Sequence, residues 1–225
     1  MFVFIQSSYT QTFEVGGFIG GANYIGDVGN TMFINPNGLV LGGMAKWNRS
    51  NRHALRLTLL YGEINADDAK SSDVRRQQRG YSFSNNIAEA SLGLEFNFWS
   101  FDLSEDVEQS TPYLYTGLTY FRSSHHYLDA NPPAGKLVAQ GDNWEFSIPM
   151  VLGYKQTLSR KIIGGIEIGA RYSFTDNMDG SNPQELLGRR EPLKEFGNRN
   201  TDDWYVFSGI SLTFTFGRKD CYTHL

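Results

Sequence analysis

Hydrophobic and polar residues alternate with a period of two along most of the chain, in eight separate segments. The clearest is residues 161–175, where one set of alternate positions carries Ile162 and Ile166 and the other carries Glu167 and Arg171. Such alternation is typical of β-strands with one apolar and one polar face. Segment 112–123 alternates too poorly for its faces to be assigned. The pattern predicts strands over residues 12–21, 38–47, 52–64, 86–98, 112–123, 143–155, 161–175 and 203–217.

The connections between these segments alternate in length. Long ones, rich in Asn, Asp, Gly and Pro, cover residues 22–37, 65–85, 124–142 and 176–202, whereas shorter ones cover residues 48–51, 102–111 and 156–160. An up-and-down barrel with both termini on one side places long loops at one end and short turns at the other, as outer-membrane barrels do. A helical pattern is nearly absent, since only residues 184–196 suit a turn or two and Pro192 interrupts them.

We therefore predict an all-β fold, an eight-stranded antiparallel up-and-down transmembrane β-barrel with long extracellular loops and short periplasmic turns. The barrel covers residues 11–217, and residues 218–225 form a C-terminal periplasmic tail. Residues 1–10, MFVFIQSSYT, resemble the end of a secretory signal peptide without its basic first part, and the alternative is that they form the edge of the first strand. Both termini are then periplasmic, and the chain is expected in the outer membrane in contact with lipid.

The face that points inward distinguishes two kinds of barrel. A soluble, lipocalin-like barrel would enclose the apolar positions, such as Leu57, Leu92 and Ile166, around a ligand, whereas a membrane barrel turns them toward lipid. Eight strands leave an interior just wide enough for side chains to fill it, so charges there are interpreted as a paired network rather than a pore or an active site. Five acidic and four basic residues fall on the polar face: Glu14, Lys46, Arg56, Glu89, Glu95, Glu145, Lys155, Glu167 and Arg171.

The positions of the aromatic residues favour the membrane barrel. Several fall near predicted strand ends on the apolar face, as in the aromatic belts at membrane interfaces. Trp99 is an exception, because it falls on the polar face of its segment unless a bulge shifts the register. The residues assigned to this aromatic girdle are Trp47, Trp144, Tyr154, Tyr172, Trp204 and Phe216.

Composition narrows the function classes. The chain has 24 Gly, 16 Phe, 12 Tyr and 4 Trp, a net charge of −4 and a mean hydropathy of −0.38. The aromatic content excludes disorder, and the lack of a basic excess argues against a nucleic-acid partner. No stretch approaches the roughly 20 apolar residues of a membrane helix. A single cysteine, Cys221, excludes an internal disulfide framework.

Catalytic and metal-binding patterns are weak. His125 and His126 are adjacent, so they point to opposite faces of a strand. Residues 175–182 resemble a calcium loop, but the glycine is in the fifth position from Asp176 instead of the sixth, and Asx-turns account for the segment better. We expect no catalytic residue, metal or cofactor. An outer-membrane lipid-modifying enzyme is an alternative, and its candidate residues would be Ser123, Ser124, His125 and Asp129.

Seven sequence blocks follow one another between about Thr10 and Lys219: TQTFEVGGFIGGANYIGDVGNT, GGMAKWNRSNRHALRLTLLYGEI, RGYSFSNNIAEASLGLEFNF, TPYLYTGL, NWEFSIPMVLGYK, EIGARYSFTDNMDGSNP and DWYVFSGISLTFTFGRK. In order and spacing they resemble the PorG family, the outer-membrane β-barrel component of the Bacteroidota type IX secretion system. The resemblance implies a small barrel that is not the translocation pore and that associates on its periplasmic side with the ring of the lipoprotein PorK and its partner PorN. It implies no catalytic motif.

Docking onto a periplasmic ring would use the short-turn end. The acidic turn there is longer than a hairpin needs, and our hypothesis is that it contacts the partner together with its basic neighbours. The alternative is that these are ordinary solvated charges of a turn. The basic loop residues Arg75, Arg76 and Arg79, with Arg189, Arg190, Lys194 and Arg199, are candidates for contact with lipopolysaccharide phosphates, although acidic neighbours weaken that signal. The partner-binding candidates are Arg49, Arg52, Asp102, Glu105, Asp106, Glu108, Arg160, Lys161, Arg218 and Lys219.

Overall fold

Eight antiparallel strands pair in sequence order, and the last pairs with the first to close a barrel. The computed structural model describes residues 12–30, 32–128, 137–176, 178–181, 196–197 and 202–217, so the predicted signal segment and C-terminal tail lie outside it. The predicted eight-stranded up-and-down barrel is confirmed. The strands are β1 (Thr12–Ile25), β2 (Gly38–Asn48), β3 (His53–Asp67), β4 (Ser82–Asn97), β5 (Ser110–Leu128), β6 (Leu137–Ser159), β7 (Ile162–Ser173) and β8 (Trp204–Phe216).

The two ends of the barrel differ, as the connection lengths indicate. We call the end with the β2–β3, β4–β5 and β6–β7 connections the turn end, and the opposite end the loop end. Strands β5 and β6 extend farther toward the loop end than predicted, because residues 124–128 pair with residues 137–142 across a register shift between His125 and His126. The hydrophobic pattern misses this extension because its apolar residues, 127–128 and 137–139, follow one another instead of alternating with polar ones.

A short helix, α1 (Val74–Arg79), interrupts the β3–β4 loop after a single 3₁₀ turn at Asp68–Lys70. The Asp73 side chain accepts a hydrogen bond from the Arg75 amide at 2.9 Å, and Gly80 ends the helix at φ 70°. Six residues are too few for an apolar period to show, although Asp73 and Gly80 were usable signals. Apart from Phe196, the predicted helical stretch 184–196 lies outside the described residues. No helix in the described ranges is long and apolar enough to cross a membrane.

The apolar face of the strands points outward. Leu57, Leu92 and Ile166 are 43%, 53% and 61% exposed. The lipocalin-like alternative, which required these side chains to point inward, is therefore wrong.

Strand β5, whose faces the sequence left open, turns aromatic residues inward. Tyr113, Tyr115 and Phe121 are buried in the interior, while Leu114 and Leu118 are exposed on the outer face. Alternation fails there because aromatic rings occupy the side that carries charge on other strands.

Glycines on the inner face of β1 and β8 let the closing strands approach each other. A Cβ atom added to Gly20 would lie 2.8 Å from the Cα of Gly209 and would overlap the backbone oxygen of Ser208. Gly20 and Gly209 are register partners, so neither position has room for a side chain. The GGFIGG segment thus serves close strand packing.

We predict that Gly20→Val weakens barrel closure. The new side chain would press on backbone that cannot move without breaking the β1–β8 ladder, a form of overpacking that costs about 1–3 kcal/mol. The temperature at which the folded band is lost on an SDS gel should fall. Gly43→Val is the matched control, because an added Cβ there meets its nearest atom at 3.6 Å. Equal melting of the two variants would contradict this account.

Candidate functional site

Charged side chains fill the barrel interior. Glu145 lies on the same face, toward the loop end, and is only half-buried. The other eight predicted lumen residues are at most 7% exposed, and their four carboxylates match four cations: Glu14, Lys46, Arg56, Glu89, Glu95, Lys155, Glu167 and Arg171. This equality matters because an unpaired buried charge is strongly destabilising.

Glu95 on β4 is the centre of this network. Its carboxylate lies 2.8 Å from Lys46 Nζ, 2.6 Å from Lys155 Nζ and 3.5 Å from an Arg56 nitrogen. These cations come from β2, β6 and β3. One acid therefore joins four strands across the interior.

Glu167 on β7 completes the arrangement around Arg56. The guanidinium donates two hydrogen bonds of 2.8 Å to the two carboxylate oxygens, and Tyr113 Oη donates another at 2.5 Å. The same guanidinium lies 4.7 Å from the centre of the Tyr115 ring. The inward aromatic residues of β5 thus support the buried charges.

The two other buried carboxylates are also satisfied. Glu89 accepts hydrogen bonds from Arg171 at 3.0 Å and from Tyr205 Oη at 2.9 Å. Glu14 accepts hydrogen bonds from Asn48 at 2.8 Å and Thr213 at 2.9 Å. The interior is occupied by side chains that bond to one another, which suits a plug better than a passage.

The β4–β5 turn folds under the interior at the turn end. Phe101 and Leu103 are buried and pack with Ile163. Lys155 Nζ lies 4.8 Å from the centre of the Phe101 ring, so the turn reaches the charge network. The extra length of this turn therefore has a structural role that the sequence did not reveal.

The acidic candidates in this turn divide into two groups. Asp102 accepts hydrogen bonds from the Ser104 amide at 2.9 Å and from Asn51 Nδ2 at 3.1 Å, so it shapes the turn. The remaining acids lie on an exposed tip of the turn around Val107, which is 55% exposed. A cleft of about 130 Å³ lies between this tip and residues 157–160. The tip residues are Glu105, Asp106 and Glu108.

The basic candidates at the turn end occupy different positions. Arg160 lies 3.6 Å from Asp106, next to the acidic tip. Arg49 lies over the Trp47 ring at 5.1 Å and Lys161 over the Phe214 ring at 5.9 Å, so both follow the outer wall of the barrel. Arg52 is exposed. Arg218 and Lys219 lie outside the described residues.

Aromatic residues gather at both rims of the outer wall. At the turn end, Phe13 stacks between Trp47 and Phe216, with ring centres 6.4 and 6.2 Å apart. At the loop end, Tyr172 contacts Trp204 at 5.1 Å.

The remaining aromatic candidates also lie on the outer wall. Trp144 stacks on Tyr120 at 5.0 Å near the loop end, and Tyr154 is 39% exposed toward the turn end. Trp99 is 55% exposed because β4 ends at Asn97, so the alternation of that strand no longer applies to it.

The distance between the aromatic rims matches a bilayer. On β8, Trp204 and Phe216 are 12 residues apart. A rise of about 3.3 Å per residue at a tilt of about 40° gives about 30 Å along the barrel axis, the thickness of a hydrocarbon core. The exposed side chains between the rims are mostly Leu, Ile, Val, Phe and Met.

Residues 175–176 and 178–181 cover the interior at the loop end. The buried Met178 donates its amide to Asp203 at 2.9 Å, and its carbonyl lies 3.0 Å from His126 Nδ1. Asp179 accepts a hydrogen bond from the Ser181 amide at 2.9 Å, which is an Asx-turn. Within the described residues, no group of three or more His, Cys, Asp or Glu side chains has an arrangement that could hold a metal ion.

The arginines of the loop end hold two loops together. Arg76 donates hydrogen bonds of 3.0 and 2.9 Å to the carbonyls of Gly26 and Gly29, and Arg79 pairs with Asp68 at 2.8 Å. Arg75 pairs with its own helix cap, Asp73. Each of the three described arginines of this basic cluster therefore has a partner within the protein. Its other members, Arg189, Arg190, Lys194 and Arg199, lie outside the described residues.

Of the four candidate catalytic residues, the structure describes the side chains of Ser123 and Ser124. Ser123 points inward and is fully buried, whereas Ser124 lies on the other face and donates to Asp142 at 2.7 Å. The side chain of His125 and the whole of Asp129 lie outside the described atoms.

Fold and interior together define a small closed barrel of the outer-membrane type, with a filled polar interior. The chain belongs to a family described as a domain of unknown function, DUF6089, whose model matches residues 1–224. No curated protein matches the sequence.

Similar solved structures include three small barrels. Neisserial surface protein A has 9% identity and a TM-score of 0.49, covering 91% of this chain and 97% of that one. The N-terminal β-barrel domain of Pseudomonas aeruginosa OprF has 15% identity and a TM-score of 0.46, with the same coverages of 91% and 97%. OprG from Pseudomonas aeruginosa has 9% identity and a TM-score of 0.46, covering 92% and 96%. At these identities and TM-scores the likeness carries no argument about this chain.

We predict that Glu95→Gln destabilises the barrel by about 3–5 kcal/mol, because it leaves buried cations without their shared counter-charge. Urea unfolding of the protein in detergent micelles, followed by tryptophan fluorescence, would measure the change. Glu108→Gln is the control, since an exposed site should change stability by about 0.5 kcal/mol or less. Similar unfolding midpoints for both variants would rule out the network as a main source of stability.

We predict that the segment covering the interior at the loop end, residues 175–176 and 178–181, becomes less stable as pH rises. Burial, together with the charges of Asp179 and Asp27, raises the pKa of Asp176 to about 6. The unfolded pKa is about 3.9, so the folded cover favours the protonated acid. The stabilisation that protonated Asp176 gives to this segment is complete below the unfolded pKa and is lost as pH rises through about 6.

Hydrogen-exchange protection factors, corrected for intrinsic rates, would measure this change. Protection of residues 174–176 and 178–181 should fall between pH 5 and pH 7.5 in the native chain, and the fall should be smaller in Asp176→Asn. The same pH dependence in both proteins would show that Asp176 is not the titrating group.

Proposed function

We propose that this protein is an integral outer-membrane β-barrel that conducts no solute and holds a partner at the membrane. The observation that carries the proposal is the inverted polarity of the barrel. Its outer wall is an apolar band about 30 Å high between aromatic rims, a height that matches a bilayer core. Its interior is filled by paired charges centred on Glu95. A barrel without a passage can act only through its surfaces.

We further propose that the partner surface lies at the turn end, facing the periplasm, with both termini on the same side. The resemblance of the sequence blocks to the PorG family supports this orientation and suggests the partner, the PorK and PorN ring of the type IX secretion system. The exposed tip around Val107 supports it as well, because an apolar side chain ringed by Glu105, Asp106 and Glu108 suits protein docking.

The proposal includes no catalytic activity. The candidate serines point to opposite faces of β5, and the buried carboxylates bond to cations and hydroxyls of the plug. In this proposal, membrane lipid surrounds the outer wall of the barrel. Contact with lipopolysaccharide would use the loop arginines, of which Arg76 already donates hydrogen bonds to two carbonyls of the protein.

Fractionation with heat-modifiable gel mobility tests the membrane location. The chain should enter the outer-membrane fraction and migrate faster before heating than after it, and planar-bilayer recordings should show no steady conductance. Recovery in a soluble fraction without detergent would reject the proposal.

We predict that the triple variant Glu105→Gln, Asp106→Asn, Glu108→Gln recovers several-fold less PorK and PorN from solubilised outer membrane. Phe101 and Leu103 are unchanged, so the turn should keep its fold. Glu63→Gln, an exposed acid on β3 toward the loop end, is the matched control. Undiminished recovery of the ring proteins with the triple variant would remove the acidic tip from the interface.

A further inference from the structure

Three consecutive apolar residues are exposed in the β1–β2 loop. Met32, Phe33 and Ile34 have 57%, 69% and 57% of their surface accessible. They precede β2 and belong to no strand, so the alternation that explains the outer wall does not explain them. Exposed apolar side chains grouped in this way usually mark a contact surface.

The segment that carries these residues lies against the outer wall of the barrel. Asn23 is on the outward face of β1, yet it is only 2% exposed, because the loop covers it. Its Nδ2 donates hydrogen bonds of 3.2 Å to the carbonyls of Met32 and Phe33, and its Oδ1 accepts one of 3.4 Å from the Asn35 amide. A polar side chain of β1 thus ties the loop down.

A glycine provides the space for this packing. Gly21 is the next outward position on β1, and a Cβ atom there would overlap the Pro36 ring. The loop from Met32 to Pro36 therefore lies flat on β1, at a place where the strand has no side chain.

The register of the strands gives the level of this contact. Asn23 pairs with Val206 and Gly21 pairs with Ser208, which are two and four residues beyond Trp204 toward the middle of β8. The loop therefore reaches past the loop-end aromatic rim onto the apolar band. Beside it, the exposed Leu39 on β2 continues the same apolar surface.

We infer that residues 32–36 form an interfacial anchor whose Met32, Phe33 and Ile34 side chains insert into the outer leaflet. The inference rests on the proposed outer-membrane location. Lipid is the occupant that the observations favour, because the segment is uncharged, is continuous with the lipid-facing band and has carbonyls that Asn23 satisfies, as an apolar solvent requires.

Site-specific fluorescence in vesicles tests the anchor. In a Cys221→Ser background, single cysteines at positions 33, 75 and 150 carry the environment-sensitive label NBD, and the folded protein is placed in phosphatidylcholine vesicles. Met150 faces outward within the apolar band and reports on lipid, whereas the highly exposed Arg75 reports on water.

We expect the label at position 33 to be quenched by brominated lipid, as at position 150. Iodide in the buffer should quench it several-fold less than the label at position 75. Equal iodide quenching at positions 33 and 75 would overturn the anchor while leaving the barrel assignment intact, provided that position 150 reports lipid. Absence of lipid quenching at position 150 would instead reject the membrane barrel itself, and the anchor with it.

A substitution at Gly21 tests whether the anchor depends on its contact with β1. Gly21→Val should push Pro36 off β1 and make the label at position 33 accessible to iodide, whereas Gly43→Val, on the outer face of β2, should not. Unchanged protection in Gly21→Val would overturn the seating on β1. Protection that occurs in native outer membrane but not in pure lipid vesicles would show a protein partner in place of lipid, and would also overturn the inference.

Discussion

Closure of β1 onto β8 is the constraint on which the other features depend. Once the ladder is closed, each strand has a partner on both sides, and the alternation of side chains becomes a division between inside and outside. With only eight strands the interior is narrow. The close approach of Gly20 and Gly209 at the seam shows how little room closure leaves. A narrow interior can then be filled only by side chains that satisfy one another.

The charge network follows from that confinement. Four acids and four cations lie in a space that water hardly reaches, so each needs a partner within bonding distance. Glu95 meets this requirement by contacting three cations, and Arg56 by joining Glu95 and Glu167. The same pairing that stabilises the interior also closes it. In the proposed function, the protein acts through its turns, its loops and its outer wall.

Both ends of the barrel combine a cover with a displayed surface. At the turn end, Phe101 is buried beneath the interior while the acidic tip that follows it is exposed. At the loop end, Met178 is buried, and the β1–β2 loop turns outward to place Phe33 on the outer wall. In each case a buried apolar residue or a tied backbone fixes the segment. The neighbouring exposed residues are thereby held in a defined position.

Local alternation was enough to determine the number of strands and which residues of a strand share a face, because every second side chain of a strand points the same way. The connection lengths indicated the order of the strands. Alternation could not assign the two faces of β5, where Tyr113 and Tyr115 take the place of charges. It also could not decide which face of the strands points inward, because that depends on closure of the barrel. Pairing partners were also beyond it, since Arg56 and Glu167 are 111 residues apart. The fold-back of the β1–β2 loop depends on a missing side chain at Gly21 and a hidden amide at Asn23. Such contacts exist only after distant segments are brought together, so only the tertiary structure decided them.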